Sequence, residues 1–132
     1  MYLVDTNVWL EALLDQERSQ DVRLFLTAVP SSDLHITDFA FHSIGLVLSR
    51  LHRPDTFLRF VEDLFVDGST TLIHLTPEEM RPLVAAMERF SLDFDDAYQY
   101  LAAQTHQLTV VSFDMDFDRT DLGRKAPAEA LL

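Results

Sequence analysis

Short apolar runs alternate along the chain with longer segments whose apolar residues recur at helical spacing. Four runs predict strands, because they are brief and are bounded by turn-forming residues: 2–4, 34–36, 71–75 and 109–112. Helical spacing predicts six helices: 8–14, 19–29, 39–52, 54–66, 76–90 and 93–106. Strands that alternate with helices are typical of a parallel sheet covered on both faces, so we expect an α/β fold. The tail at residues 120–127 is polar and poorly patterned, and it predicts a final edge strand or none.

The composition fits a single domain over residues 1–132. A chain of this length with 48% hydrophobic residues can bury most of its apolar surface in one core. It contains no cysteine, which excludes disulfides and thiolate zinc sites, and its five histidines form no close pair at metal-ligand spacing. No apolar run approaches the roughly 20 residues of a membrane helix and no leader pattern opens the chain, so we expect a cytoplasmic protein without membrane association.

The charge balance is unusual for a domain that binds nucleic acid. Twenty-two acidic and ten basic residues give a formal net charge of −12, whereas proteins that grip phosphates carry a basic face. Two features reduce this conflict. Divalent cations would neutralise carboxylates if the protein binds them, and the basic residues Arg119, Arg124 and Lys125 cluster after the last acidic motif.

Aspartates recur where the predicted strands end and where the predicted helices begin. Six share this placement: Asp5, Asp38, Asp95, Asp96, Asp114 and Asp116. Because parallel strands all end at one edge of a sheet, we expect several of these carboxylates to converge. Converging carboxylates repel one another unless they are protonated or bind a cation, and oxygen ligands alone favour Mg²⁺ or Mn²⁺ over Zn²⁺. Such a cation suits phosphodiester hydrolysis.

Each of these aspartates also has an ordinary structural explanation. An aspartate at a helix N-terminus caps backbone N–H groups and gains about 0.3 to 1 kcal/mol from the helix dipole. For any single aspartate, capping is the better explanation. For Asp5, Asp96 and Asp114 together a shared site is the better one, because three independent caps need not fall at the same edge of a sheet.

Three stretches of the sequence resemble motifs of the PIN-domain nucleases. They are Val4-Asp5-Thr6-Asn7, Asp95-Asp96-Ala97-Tyr98 and Ser112-Phe113-Asp114-Met115-Asp116-Phe117. The resemblance spans nearly the whole chain. It implies a three-layer α/β/α sandwich with a central, mainly parallel sheet of four or five strands, and a cluster of acids that binds Mg²⁺ or Mn²⁺. It also implies an endoribonuclease of the VapC-like class, the toxin of a toxin–antitoxin pair, with an RNA substrate, an antitoxin protein as partner and pairing into a homodimer.

The resemblance assigns roles by motif position. It makes Asp5, Asp96 and Asp114 the catalytic metal ligands, with Asp116 as an additional ligand. Five further residues are expected to support the site or to contact substrate: Thr6, Asn7, Ser43, Asp95 and Arg119.

One residue that the family pattern requires is missing. The helix after the second strand carries a glutamate in that pattern, whereas this chain has Phe41-His42-Ser43-Ile44-Gly45 there. Neither His42 nor Ser43 replaces a carboxylate. We therefore expect a three-acid site, with fewer cations or weaker catalysis.

Two alternatives remain open. A PIN-like binding module with weakened or lost catalysis is consistent with the missing glutamate and the acidic charge. A receiver-like phosphoacceptor domain shares the length and the strand–helix alternation, but it needs an acidic pair after the first strand, an aspartate after the third and a lysine after the fifth. Here a single Asp5 follows the first strand, Leu75-Thr76 follows the third, and only Lys125 is available as the lysine.

Overall fold

A computed structural model describes all 132 residues and contains a sheet of four parallel strands. The strands are β1 (Tyr2–Val4), β2 (Leu34–Thr37), β3 (Thr71–Ile73) and β4 (Thr109–Val111), and they lie in the order β3-β2-β1-β4. All three pairings are parallel. The structure therefore confirms the predicted parallel sheet and places the first strand between the second and the fourth.

Seven α-helices connect and cover the strands. They are α1 (Thr6–Leu13), α2 (Ser19–Ala28), α3 (Asp38–Arg50), α4 (Pro54–Val61), α5 (Met80–Phe90), α6 (Phe94–His106) and α7 (Pro127–Ala130). Short 3₁₀ turns lie at Ser31–Asp33, Pro77–Glu79 and Met115–Arg119, and a π-helical turn lies at Glu62–Val66. None of the helices has both the length and the apolar character needed to cross a bilayer.

The sheet separates two apolar clusters. Successive strand residues point to opposite faces, so Leu3 packs with α5 and α6 while its neighbour Val4 packs with α1, α2, α3 and α4. Val110 and Val111 divide between the two faces in the same way. All four side chains are at most 2% exposed, and each contributes about 1.5 to 3 kcal/mol of hydrophobic stabilisation. This arrangement is the predicted three-layer α/β/α sandwich.

The sheet brings three helix N-termini to the edge where its strands end. Asp5 directly follows β1 and accepts a hydrogen bond from the first N–H of α1, while its own N–H donates to the carbonyl oxygen of Val111 in β4. Thr37 ends β2 and caps α3. Asp93 caps α6, whose first turn carries Asp96. The connections between elements are short, so chain positions far apart in sequence meet at one edge.

Several predicted boundaries were wrong by a few residues, for local reasons. Helices α1 and α3 begin two and one residues earlier than predicted, because Asp5 and Thr37 serve as their caps. The third strand ends at Ile73 instead of residue 75, since the N–H of Leu75 donates to the hydroxyl of Tyr98 at 3.0 Å and not to a neighbouring strand.

Two predicted helices begin or end in a different helical form. The predicted helix 54–66 changes to a π-helical turn after α4. That turn ends at Val66, and Gly68 follows it at a position where a Cβ would lie 2.5 Å from the carbonyl oxygen of Asp63. The predicted helix 76–90 starts as the 3₁₀ turn before α5, with Thr76 as its cap.

The C-terminal tail contains more structure than its pattern predicted. A single parallel bridge joins Val111 to Lys125, so the tail adds one pairing beside β4 in place of a full edge strand. Helix α7 follows and packs against α2. It starts at Pro127, and the carboxylate of Glu129 accepts a hydrogen bond from the N–H of Ala126 at 3.0 Å. Four residues are too few for a helical periodicity to be visible in the sequence.

Candidate active site

A polar cleft of about 300 Å³ opens at the edge of the sheet where the strands end. Ten residues line it, and only two of these are apolar: Asp5, Thr6, Asn7, Leu10, Phe39, Ser43, Asp95, Asp96, Gln99 and Asp114. They come from the residue after β1, from α1, α3 and α6, and from the turn after β4. Seven of the residues that the sequence singled out for the site therefore lie around one cavity.

Asp5 is surrounded by hydrogen-bond donors. Its Oδ1 accepts from the N–H of Thr6 at 2.8 Å and from Nε2 of Gln99 at 2.9 Å. Its Oδ2 accepts from Oγ of Ser112 at 2.8 Å and, at the longer distance of 3.4 Å, from Nδ2 of Asn7. The side chains around Asp5 thus fix the plane and the direction of its carboxylate.

The pKa of Asp5 reflects two opposed influences. Burial is the largest and raises the pKa, because the residue is only 7% exposed and the charged form loses hydration. The hydrogen bonds from Gln99, Ser112 and Thr6 lower the pKa, and the negative charge of Asp114 raises it. The net direction is upward.

Asp96, Asp114 and Asp116 form a second group, held by helix and turn caps. The N–H of Asp96 donates to the carboxylate of its cap, Asp93, at 3.0 Å. The N–H of Asp114 donates to Oγ of Ser112 at 2.9 Å, and Oδ1 of Asp114 accepts from the N–H of Asp116 at 2.9 Å. These bonds place one carboxylate oxygen from each of the three within 4.8 Å of the others. We call Asp96, Asp114 and Asp116 the carboxylate triplet.

The crowding of charge affects the pKa of Asp96. Burial and then the carboxylates of Asp114, Asp93, Asp5 and Asp116 raise this pKa from 3.8 to about 7. Asp5 lies outside the carboxylate triplet, although it lines the same cleft and its charge acts on Asp96. The cleft therefore holds more negative charge than its own donors balance.

The chemistry of the cleft fits a hard divalent cation. Its charged ligands are carboxylate oxygens, with no imidazole or thiolate among the lining residues, which is the donor set that Mg²⁺ and Mn²⁺ prefer. The hydroxyl oxygen of Thr6 supplies an independent observation. It is buried in this cleft and has no hydrogen-bond partner in the protein, which costs about 1 to 3 kcal/mol unless a bound group pairs with it.

The remaining predicted site residues divide into two sets. Asn7 bridges the two sides of the cleft, since its Oδ1 accepts from the N–H of Phe113 at 3.2 Å and its Nδ2 contacts Asp5 and Ser112. Asp95 and Ser43 line the cleft, and Ser43 brings no charge to the position of the missing glutamate.

Two polar side chains near the position of that glutamate, His42 and Asp38, lie outside the cleft. His42 is exposed and lines a different groove, with Phe41 and Leu46. Asp38 is exposed and accepts hydrogen bonds from the N–H of Phe39 and the hydroxyl of Tyr98, both at 2.8 Å. Helix α3 therefore contributes no carboxylate to the cleft.

The basic residues near the cleft are engaged by the protein itself. Arg119 pairs with Asp116 at 3.0 Å and also donates to the carbonyl oxygens of Phe90 and Ser91. Arg124 pairs with Asp118 at 3.2 Å and donates to the carbonyl oxygen of Ser112. Both guanidinium groups stand beside the carboxylates, and neither lines the cleft.

The sequence predicted no part in the site for the side chains of Gln99, Ser112 or Thr37. The available signal for Gln99 was its spacing, because it lies three residues after Asp96 and so on the same face of α6. Ser112 stands at the end of β4, where a polar residue marks the sheet edge. The hydroxyl of Thr37 donates to Oε1 of Gln99 at 2.6 Å, a contact across 62 residues that no local pattern reveals.

Comparison with known proteins identifies the family. The PIN domain family model matches residues 2–122. A toxin–antitoxin complex from Klebsiella pneumoniae is similar in structure, with a TM-score of 0.77 at 20% identity over 98% of this chain and 99% of that chain.

Two further structures share the fold. VapC20 of Mycobacterium tuberculosis, a sarcin–ricin loop cleaving toxin, gives a TM-score of 0.77 at 14% identity over 92% of this chain and 96% of that chain. FitAcB from Neisseria gonorrhoeae gives a TM-score of 0.73 at 20% identity over 96% of this chain and 98% of that chain. No curated protein matches the chain by sequence. The family match covers most of the chain, and the chain belongs to the PIN-domain family.

Proposed function

We propose that this single-domain protein is a divalent-metal-dependent endoribonuclease and the toxin of a toxin–antitoxin pair. The observation that supports this most is the carboxylate triplet, in which Asp96, Asp114 and Asp116 approach within 4.8 Å at the end of a parallel sheet. Its closeness is costly without a cation, and the cleft carries an unpaired buried hydroxyl beside it. Membership of the PIN-domain family supports the same activity.

In this proposal the carboxylate triplet holds Mg²⁺ or Mn²⁺, and Asp5 acts on the cation from the other side of the cleft. The cation, when bound, lowers the pKa of a water molecule and offsets the charge that develops on the attacked phosphate. The chain's own residues place the ligands. Ser112 holds Asp5 and the backbone of Asp114 together.

RNA is the proposed substrate, despite the net charge of −12. The structural neighbour VapC20 is a sarcin–ricin loop cleaving toxin, which favours RNA for this chain as well. Each bound cation neutralises two charges of the acidic cleft, so phosphate binding is expected only in the presence of the metal. Arg119 pairs with Asp116 of the triplet and so reduces its repulsion of a phosphate, whereas Arg124 pairs with Asp118 outside the triplet.

An antitoxin protein is the proposed partner, because similar structures include a toxin–antitoxin complex and FitAB bound to a DNA fragment. A homodimer formed through helix faces is the other proposed assembly. Light scattering of the purified chain, alone and after coexpression with a candidate antitoxin encoded beside it, measures both.

Cleavage of a labelled single-stranded RNA tests the activity. We expect cleavage with Mg²⁺ or Mn²⁺, none with EDTA, and none for Asp5→Asn or Asp96→Asn. Cleavage that persists in both variants with EDTA present would reject the metal-dependent mechanism and would indicate a contaminating nuclease or another site.

The position of Ser43 favours a second candidate, a PIN-like binding module without catalysis. Ser43 lines the cleft where the family pattern has a glutamate, so the centre has one acid fewer. Titration calorimetry separates the two candidates: binding of Mn²⁺ without RNA cleavage, or no binding at millimolar concentration, supports the binding module. Membership of the PIN-domain family removes the receiver-like alternative.

A further inference from the structure

Gln99 is a fully buried polar side chain on the face of α6 that also carries Asp96. It is 1% exposed, and its neighbours on the helix, Tyr100 and Leu101, belong to the apolar core. Burying an amide is unfavourable unless its hydrogen bonds are made. Gln99 makes one on each side: Nε2 donates to Oδ1 of Asp5 at 2.9 Å, and Oε1 accepts from the hydroxyl of Thr37 at 2.6 Å.

The cap of α3 determines which way the amide of Gln99 points. Thr37 is 0% exposed, and its hydroxyl oxygen accepts the N–H of Ala40 at 3.0 Å. The single hydroxyl proton of Thr37 therefore goes to the carbonyl oxygen of Gln99. If the amide were reversed, its oxygen would face the carboxylate oxygen of Asp5 at 2.9 Å, with no proton between them. Only one orientation satisfies all three side chains.

This orientation makes the two oxygens of Asp5 different. Oδ1 accepts two short hydrogen bonds, from Thr6 at 2.8 Å and from Gln99 at 2.9 Å. Oδ2 accepts one short bond, from Ser112 at 2.8 Å, and one long contact of 3.4 Å from Asn7. The amide of Asn7 has a second acceptor in Oγ of Ser112 at 3.3 Å, so it can leave Asp5 without losing every partner. Oδ2 is the oxygen with room for another ligand.

We propose that Gln99, oriented by Thr37, is a positioning residue that holds Oδ1 of Asp5 and directs Oδ2 to the cation. The proposal rests on the proposed function, since it concerns the metal of that site. It also gives α3 a part in the centre: the helix that lacks the expected glutamate acts through its cap, Thr37, and then through Gln99.

Four substitutions test the two contacts separately. Gln99→Met keeps the shape and removes the donor, whereas Gln99→Glu sets an acceptor against Asp5. Thr37→Val removes the hydroxyl that orients the amide, and Thr37→Ser restores it. Two matched controls report structural costs alone. Gln104→Met makes the same change at an exposed position of α6, and Thr76→Val removes a threonine cap from a different helix.

The first measurement is Mn²⁺ binding by titration calorimetry. Because partners that orient metal ligands typically change affinity 10- to 100-fold, we expect Gln99→Met to weaken binding about 10-fold, Gln99→Glu more, and Thr37→Val about 3- to 10-fold. Thr37→Ser, Gln104→Met and Thr76→Val are expected to bind as the unchanged protein does. If the unchanged protein binds Mn²⁺ and Gln99→Met binds it with equal affinity, the positioning role is overturned. The proposed function remains intact in that case.

The second measurement uses the metal-free protein. The side-chain amide signal of Gln99 in a ¹H–¹⁵N NMR spectrum, identified by its loss in Gln99→Met, is expected to exchange slowly with water. In Thr37→Val this exchange accelerates, and Thr37→Ser restores the slow exchange. An amide that exchanges as fast as that of Gln104 overturns the proposal, whether or not Mn²⁺ binds. Absence of Mn²⁺ binding by the unchanged protein would instead reject the metal centre, and with it the positioning of Asp5 toward a cation.

Discussion

The carboxylates on the two sides of the cleft have opposite surroundings. Asp5 accepts hydrogen bonds on both oxygens, from donors supplied by α1, α6 and the residue after β4. The carboxylate triplet instead brings like charges within 4.8 Å, and one guanidinium, that of Arg119, pairs with Asp116 alone. The protein therefore gives Asp5 hydrogen-bond donors on both oxygens, whereas the triplet has fewer donors for its crowded carboxylates.

The difference indicates which carboxylates require a cation. Hydrogen bonds from the chain stabilise Asp5 at its place whether or not a metal is present. The triplet has no equivalent set of donors, and burial together with the neighbouring carboxylates raises the pKa of Asp96 to about 7. Structural and cation-binding demands are thus divided between the two sides, and substitutions on each side should act differently.

The largest expected effect comes from breaking the triplet. Asp114→Asn keeps the cap of the following turn but removes one charged ligand, so we expect RNA cleavage to fall about 100-fold or more, the equivalent of several kcal/mol of metal stabilisation. Asp118→Asn makes the same change outside the triplet, two residues after Asp116. It breaks only an ion pair with Arg124 at the surface, so the cleavage rate should stay within about 2-fold of that of the unchanged protein. Initial rates at saturating Mg²⁺ measure both; equal losses would contradict the account.

Stability measurements should give opposite signs for the two sides. Asp5→Asn turns an amide N–H₂ toward donors that need an acceptor, so we expect the free energy of unfolding to fall by about 2 to 3 kcal/mol. Asp114→Asn relieves repulsion and should raise the free energy of unfolding of the metal-free protein by about 0.5 to 1 kcal/mol. Urea unfolding in EDTA gives both values. Destabilisation by both substitutions to the same extent would remove the distinction between the two sides.

The pH dependence of stability isolates Asp96. Because its pKa is raised from 3.8 to about 7, the folded protein binds this proton more tightly than the unfolded chain does. The stabilising contribution is therefore complete below pH 3.8 and is lost as pH rises to about 7. Relative to Asp96→Asn, the metal-free protein should lose about 1 to 3 kcal/mol of unfolding free energy as the pH rises over this range.

Excess Mn²⁺ should reverse that trend, since the cation binds the deprotonated carboxylate and gains affinity as pH rises. Urea unfolding at several pH values, with and without Mn²⁺, measures both slopes. Without Mn²⁺, a stability difference between the unchanged protein and Asp96→Asn that stays constant from about pH 4 to 7 would show that the pKa of Asp96 is not raised.

The smallest expected effect concerns the guanidinium group of Arg119, which pairs with Asp116 of the triplet. Arg119→Met frees Asp116, so Mn²⁺ affinity should rise about 2- to 3-fold while stability falls by less than about 1 kcal/mol, as for other exposed ion pairs. Arg23→Met breaks the pair between Arg23 and Asp15 far from the cleft and should change stability by a similar amount without changing Mn²⁺ affinity. A fall in affinity for Arg119→Met would mean that Arg119 supports the site instead of competing for it.

The sequence predicted the layers of the fold well because they depend on local patterns. Alternating apolar runs and helical spacing specified the strands and the order of helices around them. The predictions failed where tertiary contacts decide the local form. Leu75 leaves the sheet because Tyr98 takes its N–H, and α7 is too short to show a period.

The site was partly predictable for a similar reason. Strand ends and helix starts placed Asp96 and Asp114 correctly around one cleft, together with Asp5. Separating Asp5 from the triplet required three-dimensional information, because its partners Gln99 and Ser112 lie 94 and 107 residues away in the chain. No pattern along the sequence encodes such a contact.

Crystals soaked in Mn²⁺ and measured for anomalous scattering test the central claim most directly. The account predicts one strong peak in the cleft, with carboxylate oxygens of Asp96 and Asp114 at about 2.0 to 2.3 Å from it and with Asp116 or Oδ2 of Asp5 completing the ligands. A cleft without a peak at millimolar Mn²⁺, or a peak bound only to carboxylates outside the cleft, would contradict it.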